Sequence, residues 1–178
     1  MTQKIDTADR SQFLSFSLAG SEYGAGILRV REILQYEAIT RVPSTPRSIR
    51  GVINLRGQVV PVVDLGAKFG AGETKPSKLT CILIVETNLD GQTTVVGILA
   101  DAVREVIELG PDDIEPSPSF GTGVKVDFLL GMGKVGKRFV LLLDLDRVLS
   151  ADEKDLSLLA REGAPAPAGD VAEGRPAS

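Results

Sequence analysis

The stretch GVINLRGQVVPVVDL, Gly51–Leu65, carries two short aliphatic runs on either side of an Arg-Gly pair, Arg56 and Gly57. Runs this short, rich in Val, Ile and Leu and broken at a two-residue X-Gly step, read as the two strands of a β-hairpin. Gly57 can take the positive φ that such a turn demands, which leaves Arg56 pointing to solvent at the tip. An arginine is not the residue a tight turn needs, so its presence requires another reason.

Displaced by 80 residues, the same pattern returns without a gap as GMGKVGKRFVLLLDL, Gly131–Leu145. Gly, Val, Asp and Leu recur at Gly51/Gly131, Val60/Val140, Asp64/Asp144 and Leu65/Leu145. A second related pair stands upstream of each copy, GILRVREI from Gly26 and GILADAVREV from Gly97, the latter longer by two residues. Two copies of roughly 65 to 80 residues point to a duplicated lobe rather than a solenoid.

Further strand-length runs fill the chain: FLSFSL, YGAGILRV, LTCILIVE, TTVVGIL, AVREVIEL and KVDFLLGM. No helix-length periodic segment separates them, which suits small barrels better than a parallel sheet. The expectation is a mainly β protein of two similar small barrel lobes, roughly 11–75 and 76–149, sharing one hydrophobic seam. Ser150 and Glu153 form an S-x-x-E capping box before KDLSLLAREG, with Gly163 as the stop, so a C-terminal helix should complete a domain spanning 11–162. The polar start, 1–10, and the Pro/Ala/Gly-rich end, 163–178, read as flexible tails.

Composition narrows the function. A length of 178 residues suits one domain, and 43% hydrophobic with 25% charged residues is ordinary for a globular protein. The net charge of −4, with 4% aromatics and no Trp, disfavours a nucleic-acid binder, which needs basic surface and stacking platforms. There is no histidine, which removes the commonest general base, metal ligand and nucleophile partner. The single Cys81 lies inside TCILIVE as a small buried hydrophobe. No signal peptide and no membrane-length apolar run are present, so a cytoplasmic protein without membrane insertion is expected.

The repeat is also an internal control, since what recurs serves the fold and what does not is free to serve something else. Asp64 and Asp144 recur, each between a buried-looking strand and a short helical pattern, and are expected to cap those helices for about 1 kcal/mol each. A paired acid and base is the rival reading, with no His, Lys or metal cluster to complete it. Arg56 does not recur, its counterpart being Gly136, and Asn54 and Pro61 become Lys134 and Leu141. From Ala38 to Val63 there are arginines at 41, 47, 50 and 56 and no acidic residue, whereas Asp101–Glu115 is acidic but for Arg104. Such opposed faces suggest docking surfaces, and the arginine strip keeps open a small β-barrel nucleic-acid binder.

Together EYGAGILRVREI, TPRSIRGVINLRGQVVPVVDL, VGILADAVREVIEL and FLLGMGKVGKRFVLLLDLDRVL resemble the CheW-like family of bacterial chemotaxis adaptors, from about Phe13 to Leu149. The resemblance implies two five-stranded SH3-like barrels packed over a common core, with no catalytic activity, cofactor or metal. It implies an adaptor bridging the cytoplasmic tips of chemoreceptors to the regulatory domain of a histidine kinase, in higher-order arrays at the membrane. A non-flagellar pathway such as pilus motility is the alternative output. By the same resemblance Arg56, in the N-L-R-G motif, is the receptor-contact residue, and Val30, Glu32, Gly51, Asn54 and Gly57 belong at or near partner surfaces. Val30, Glu32 and Gly51 recur as Val103, Glu105 and Gly131, so a structural role competes for them. Ala25 and Gly26 depart from the larger aliphatic and polar pair common in the family.

Overall fold

Two sheets share the chain by exchange. The computed structural model describes residues 11–116 and 126–150, together with Leu156, Leu158 and Leu159. Strands β1 (Ser11–Leu18) and β2 (Ser21–Gly26) form a first hairpin. A 3-10 turn, Ile27–Arg29, then leads into β3 (Val30–Gln35). The hairpin β4 (Ile49–Leu55) and β5 (Gln58–Val63) follows, closed by helix α1 (Leu65–Lys68). The second copy runs β6 (Cys81–Leu89), β7 (Gln92–Ala100), β8 (Ala102–Leu109), β9 (Ile114–Glu115), β10 (Leu129–Val135), β11 (Arg138–Leu143) and α2 (Leu145–Ser150).

One sheet has the order β8-β1-β2-β11-β10-β9 and the other β3-β6-β7-β5-β4. With β6, β7, β8, β10 and β11 as the twins of β1, β2, β3, β4 and β5, the two orders are the same. Each sheet takes its first hairpin from the other repeat. The expected division of the lobes at 75/76 therefore marks the sequence repeat but not the sheets. The reason is the crossover after each first hairpin, at Ile27–Arg29 and at Asp101, which carries the chain out of one sheet and into the next. The expected continuous strand YGAGILRV is broken by the first crossover. The strand number also differs between lobes, because β9 pairs with Met132 and Gly133 whereas its twin is the single bridge between Thr40 and Val52.

The parallel seams correct the alignment of the upstream pair. Val62 lies opposite Gly97 and Leu142 opposite Gly24, so Gly97 is the twin of Gly24, not of Gly26. That register removes the two-residue gap and still pairs Val30 with Val103 and Glu32 with Glu105. A Cβ at Gly97 would lie 3.3 Å from Val62 Cγ2 across its seam, and one at Gly24 3.0 Å from Leu142 Cδ2, so both seams depend on close approach.

The core divides into three clusters. Ile53, Val60, Val62, Ile82, Ile84 and Leu99 fill one barrel, and Phe13, Ile107, Leu109, Val140 and Leu142 the other. Between them lies the shared seam, with Phe16, Ile49, Val63, Leu83, Ile98, Leu143 and Val148. Alternate residues of β5, β6 and β11 thus face a barrel interior and the seam, and strands buried on both faces read as continuous apolar runs rather than alternation. Ser150 is itself helical, within α2, with its hydroxyl donating to the Arg147 carbonyl at 3.0 Å, so it does not stand as an N-cap ahead of a helix. Glu153 and both expected tails lie outside the described residues, while Leu156 is helical and fully buried in the seam. Cys81 is half-buried, not buried.

Candidate functional site

The tip of the β4–β5 hairpin gathers several of the residues singled out above. Leu55 pairs with Gln58, leaving Arg56 and Gly57 as the two turn residues, with φ of 52° and 87°. Both central residues are therefore left-handed, as in a type I′ turn, and Arg56 shares the conformation that glycine was expected to supply alone. Asn54 holds the turn, its Oδ1 accepting from the Gly57 N–H at 2.8 Å.

Arg56 does not simply reach into solvent. Its guanidinium donates from both terminal nitrogens to the two carboxylate oxygens of Glu32 on β3. β3 and β4 are the two edges of their sheet, so the pair bridges the opening of the barrel. Arg56 nevertheless keeps 70% of its side chain exposed, against 31% for Glu32. The hydrogen bond from Arg56 holds the Glu32 carboxyl below the usual glutamate range, against an opposing push from desolvation. A group depressed in the folded state loses its contribution only as pH falls through the folded value, so the pair is intact at neutral pH. A ¹³C carboxyl titration should place the Glu32 midpoint below the ordinary glutamate range.

The other barrel closes in a related way. Arg138 donates from Nε to Glu22 Oε1 at 2.8 Å and from Nη2 to Glu105 Oε2 at 2.6 Å, and Glu105 is the twin of Glu32. Arg138 stands just after its turn, at the twin position of Gln58. A tip arginine gripping the β3-type glutamate thus recurs even though its sequence position does not, which the repeat comparison missed. What is particular to the first lobe is an arginine in the turn itself, with most of its surface open.

The remaining candidates sit elsewhere. Val30 is half-buried and packs on the seam. Gly51 is buried near the start of β4, beside the Thr40 backbone, and not at the tip. Asp64 is the N-cap of α1, accepting from the Ala67 N–H at 3.2 Å. It also accepts from the Thr74 N–H and hydroxyl, each at 2.8 Å, and from Arg50 Nη1 at 2.9 Å, with no exposure of its side chain. Asp144 accepts from the Arg147 N–H at 3.3 Å and is partly exposed. With its oxygens occupied by protein donors, Asp64 is poorly placed to act as an acid or base on a bound molecule.

Three of the four arginines of the strip stand beside acids in three dimensions. Arg50 is paired with Asp64, Arg56 with Glu32, and Arg41 lies 4.0 Å from Glu73. A phosphate backbone would have to compete with these acids, which weakens the nucleic-acid reading. Among the described residues there is no cluster of potential ligands able to hold a metal, and no helix long and apolar enough to cross a membrane.

Comparison with known proteins places this geometry. The family model for the CheW-like domain matches residues 12–153. A chemotaxis protein CheW from Klebsiella aerogenes is 39% identical over 145 residues, covering 82% of this chain and 85% of that protein. Protein FrzA from Myxococcus xanthus is 31% identical over 121 residues, covering 68% and 72%. The crystal structure of the scaffolding protein TtCheW from Thermoanaerobacter tengcongensis superposes with a TM-score of 0.69 at 37% identity, covering 78% of this chain and 92% of that one.

Proposed function

This chain belongs to the CheW-like domain family, an adaptor family and not one of enzymes, and on that basis we propose that it couples chemoreceptor cytoplasmic tips to the regulatory domain of a histidine kinase. The observation that carries this reading is Arg56, a largely exposed guanidinium held by Glu32 at the hairpin tip. A guanidinium gripped along one edge keeps its other N–H groups for a carboxylate or an exposed carbonyl on a receptor helix. Because Glu32 already restricts its rotamers, less side-chain freedom is lost on binding.

Each contact in such a scaffold can be modest. Strength comes from the array, where linking several sites raises the effective concentration of each partner for the next. The location that follows is the cytoplasmic face of the membrane, through receptors and not through insertion.

The test is co-sedimentation of wild type and Arg56→Ala with receptor cytoplasmic fragments and the cognate kinase. Arg56→Ala should weaken receptor capture by tenfold or more, retain kinase binding and melt at the wild-type temperature. Undiminished receptor capture by the variant would remove Arg56 from the interface. Failure of the wild type to bring kinase down with receptor would remove the coupling function itself.

A further inference from the structure

A second arginine–carboxylate fork lies at the crossover between the sheets, and the repeat does not duplicate it. Arg29, in the turn between β2 and β3, donates from Nη1 to Asp146 Oδ1 at 2.8 Å and from Nη2 to Oδ2 at 2.9 Å. Its Nη1 also donates to the Glu86 carbonyl at 3.2 Å. Asp146, in the first turn of α2, further accepts from the Thr87 hydroxyl and the Asn88 N–H on β6, each at 2.8 Å. Burial opposes the charge on Asp146, and the Arg29 fork with the Asn88 and Thr87 donors overcomes it, leaving the carboxyl below its usual range. In the corrected register the twin of Arg29 is Ala102, and the twin of Asp146 is Gly66.

The clasp sits immediately before a bulge. Val30 pairs with Val85 but Glu32 pairs with Ile84, so Arg31 is the extra residue. Arg31 turns back to the same β6 residue, its Nε 3.3 Å from Glu86 Oε2. The twin strand β8 has the same bulge, at Arg104 between Val103 and Glu105. There the register is held locally, because Ser15 Oγ accepts from the Glu105 N–H at 3.3 Å. Opposite Glu32 stands Ile84, which offers no such acceptor. β3 is moreover an edge strand with β6 as its one neighbour in the sheet, so a single ladder has to specify its register. Successive side chains point to opposite faces, and a slip of one residue would turn Glu32 away from Arg56.

We propose that Asp146 is a positioning residue: through Arg29 it sets the register in which β3 enters its sheet, and so the face from which Glu32 meets Arg56. The consequence for receptor capture rests on the adaptor reading above, whereas the consequence for the Glu32–Arg56 pair does not.

Asp146→Asn keeps the oxygen that Thr87 and Asn88 use and removes the charge that Arg29 needs. Arg29→Gln breaks the clasp from the other side at a half-exposed position, and decides the matter should the first variant fold poorly. In folded protein either variant should raise the Glu32 carboxyl titration midpoint to the ordinary glutamate value. The double variant should do no more than either single one. Receptor co-sedimentation should fall as far as in Arg56→Ala, although neither residue lies at the tip. A Glu32 midpoint that stays depressed in both variants would overturn the proposal and leave the clasp a stability element only. If wild type captures no receptor, the adaptor reading fails while the titration still decides the positioning role.

Discussion

Asp64→Ala should destabilise the protein by about 3–5 kcal/mol, the usual effect of removing one partner from a buried ion pair. The replacement would leave Arg50, with 13% of its side chain exposed, without its carboxylate. The Thr74 N–H and hydroxyl and the α1 cap at Ala67 would lose their acceptor as well. Against a total stability of about 5–15 kcal/mol for a domain, that is a large share. Its repeat twin provides the control. Asp144 is partly exposed and caps α2 through a 3.3 Å bond, with Arg147 Nε 3.6 Å away, so Asp144→Ala should cost only ~1 kcal/mol. Urea denaturation of the two variants, compared at equal m-values, measures the difference. Equal losses would mean that the buried network around Asp64 contributes nothing beyond a helix cap.

Gly51→Ala should cost about 3 kcal/mol or more and lower the melting temperature clearly below that of the wild type. Gly51 has a φ of 148°, a conformation that L side chains rarely adopt. A Cβ there would also run into the carbonyl of Thr40, whose N–H and C=O are both bonded to Val52. Backbone fixed on both sides cannot retreat as a side chain can. Gly131→Ala also carries an unfavourable φ, 159°, but its Cβ would meet the Glu115 carbonyl at 2.9 Å, less closely than the Gly51 Cβ meets Thr40, so the substitution should be milder. Circular dichroism melts with receptor co-sedimentation separate two roles for Gly51. If binding is lost in proportion to the unfolded fraction, the glycine acts through the fold. A variant that melts like wild type yet fails to bind would make it a contact residue.

The two kinds of candidate residue differ in how legible they were. Arg56 stood out because a tip position has no use for it, and that inference needed only local turn chemistry. Its pairing with Glu32 was not readable, since the two residues belong to opposite edges of a sheet whose closure depends on strands from the other repeat. The Arg138 counterpart was hidden for a related reason. It stands two residues later in its hairpin than Arg56 does, so in a gapless alignment of the repeats Gly136, not Arg138, faces Arg56. The acids beside the basic strip are hidden for a similar cause, because Glu32, Asp64 and Glu73 lie outside Ala38–Val63 in sequence and reach its arginines only through the fold.

The sequence by itself determined the strand-rich architecture, the duplication, the hairpin tip and the aspartate caps at Asp64 and Asp144, because each is written in short-range pattern. Aliphatic runs, an X-Gly step and an Asp before a helix act over a few residues, and their physics does not wait for the rest of the chain. Only the tertiary structure decided which strands share a sheet. Either first hairpin presents equivalent backbone donors and acceptors and similar apolar faces, so nothing local says whether β1 and β2 pair with their own repeat or with its twin. That choice rests on the crossovers at Ile27–Arg29 and Asp101 and on burial of the common seam, and both exist only when the whole chain is folded.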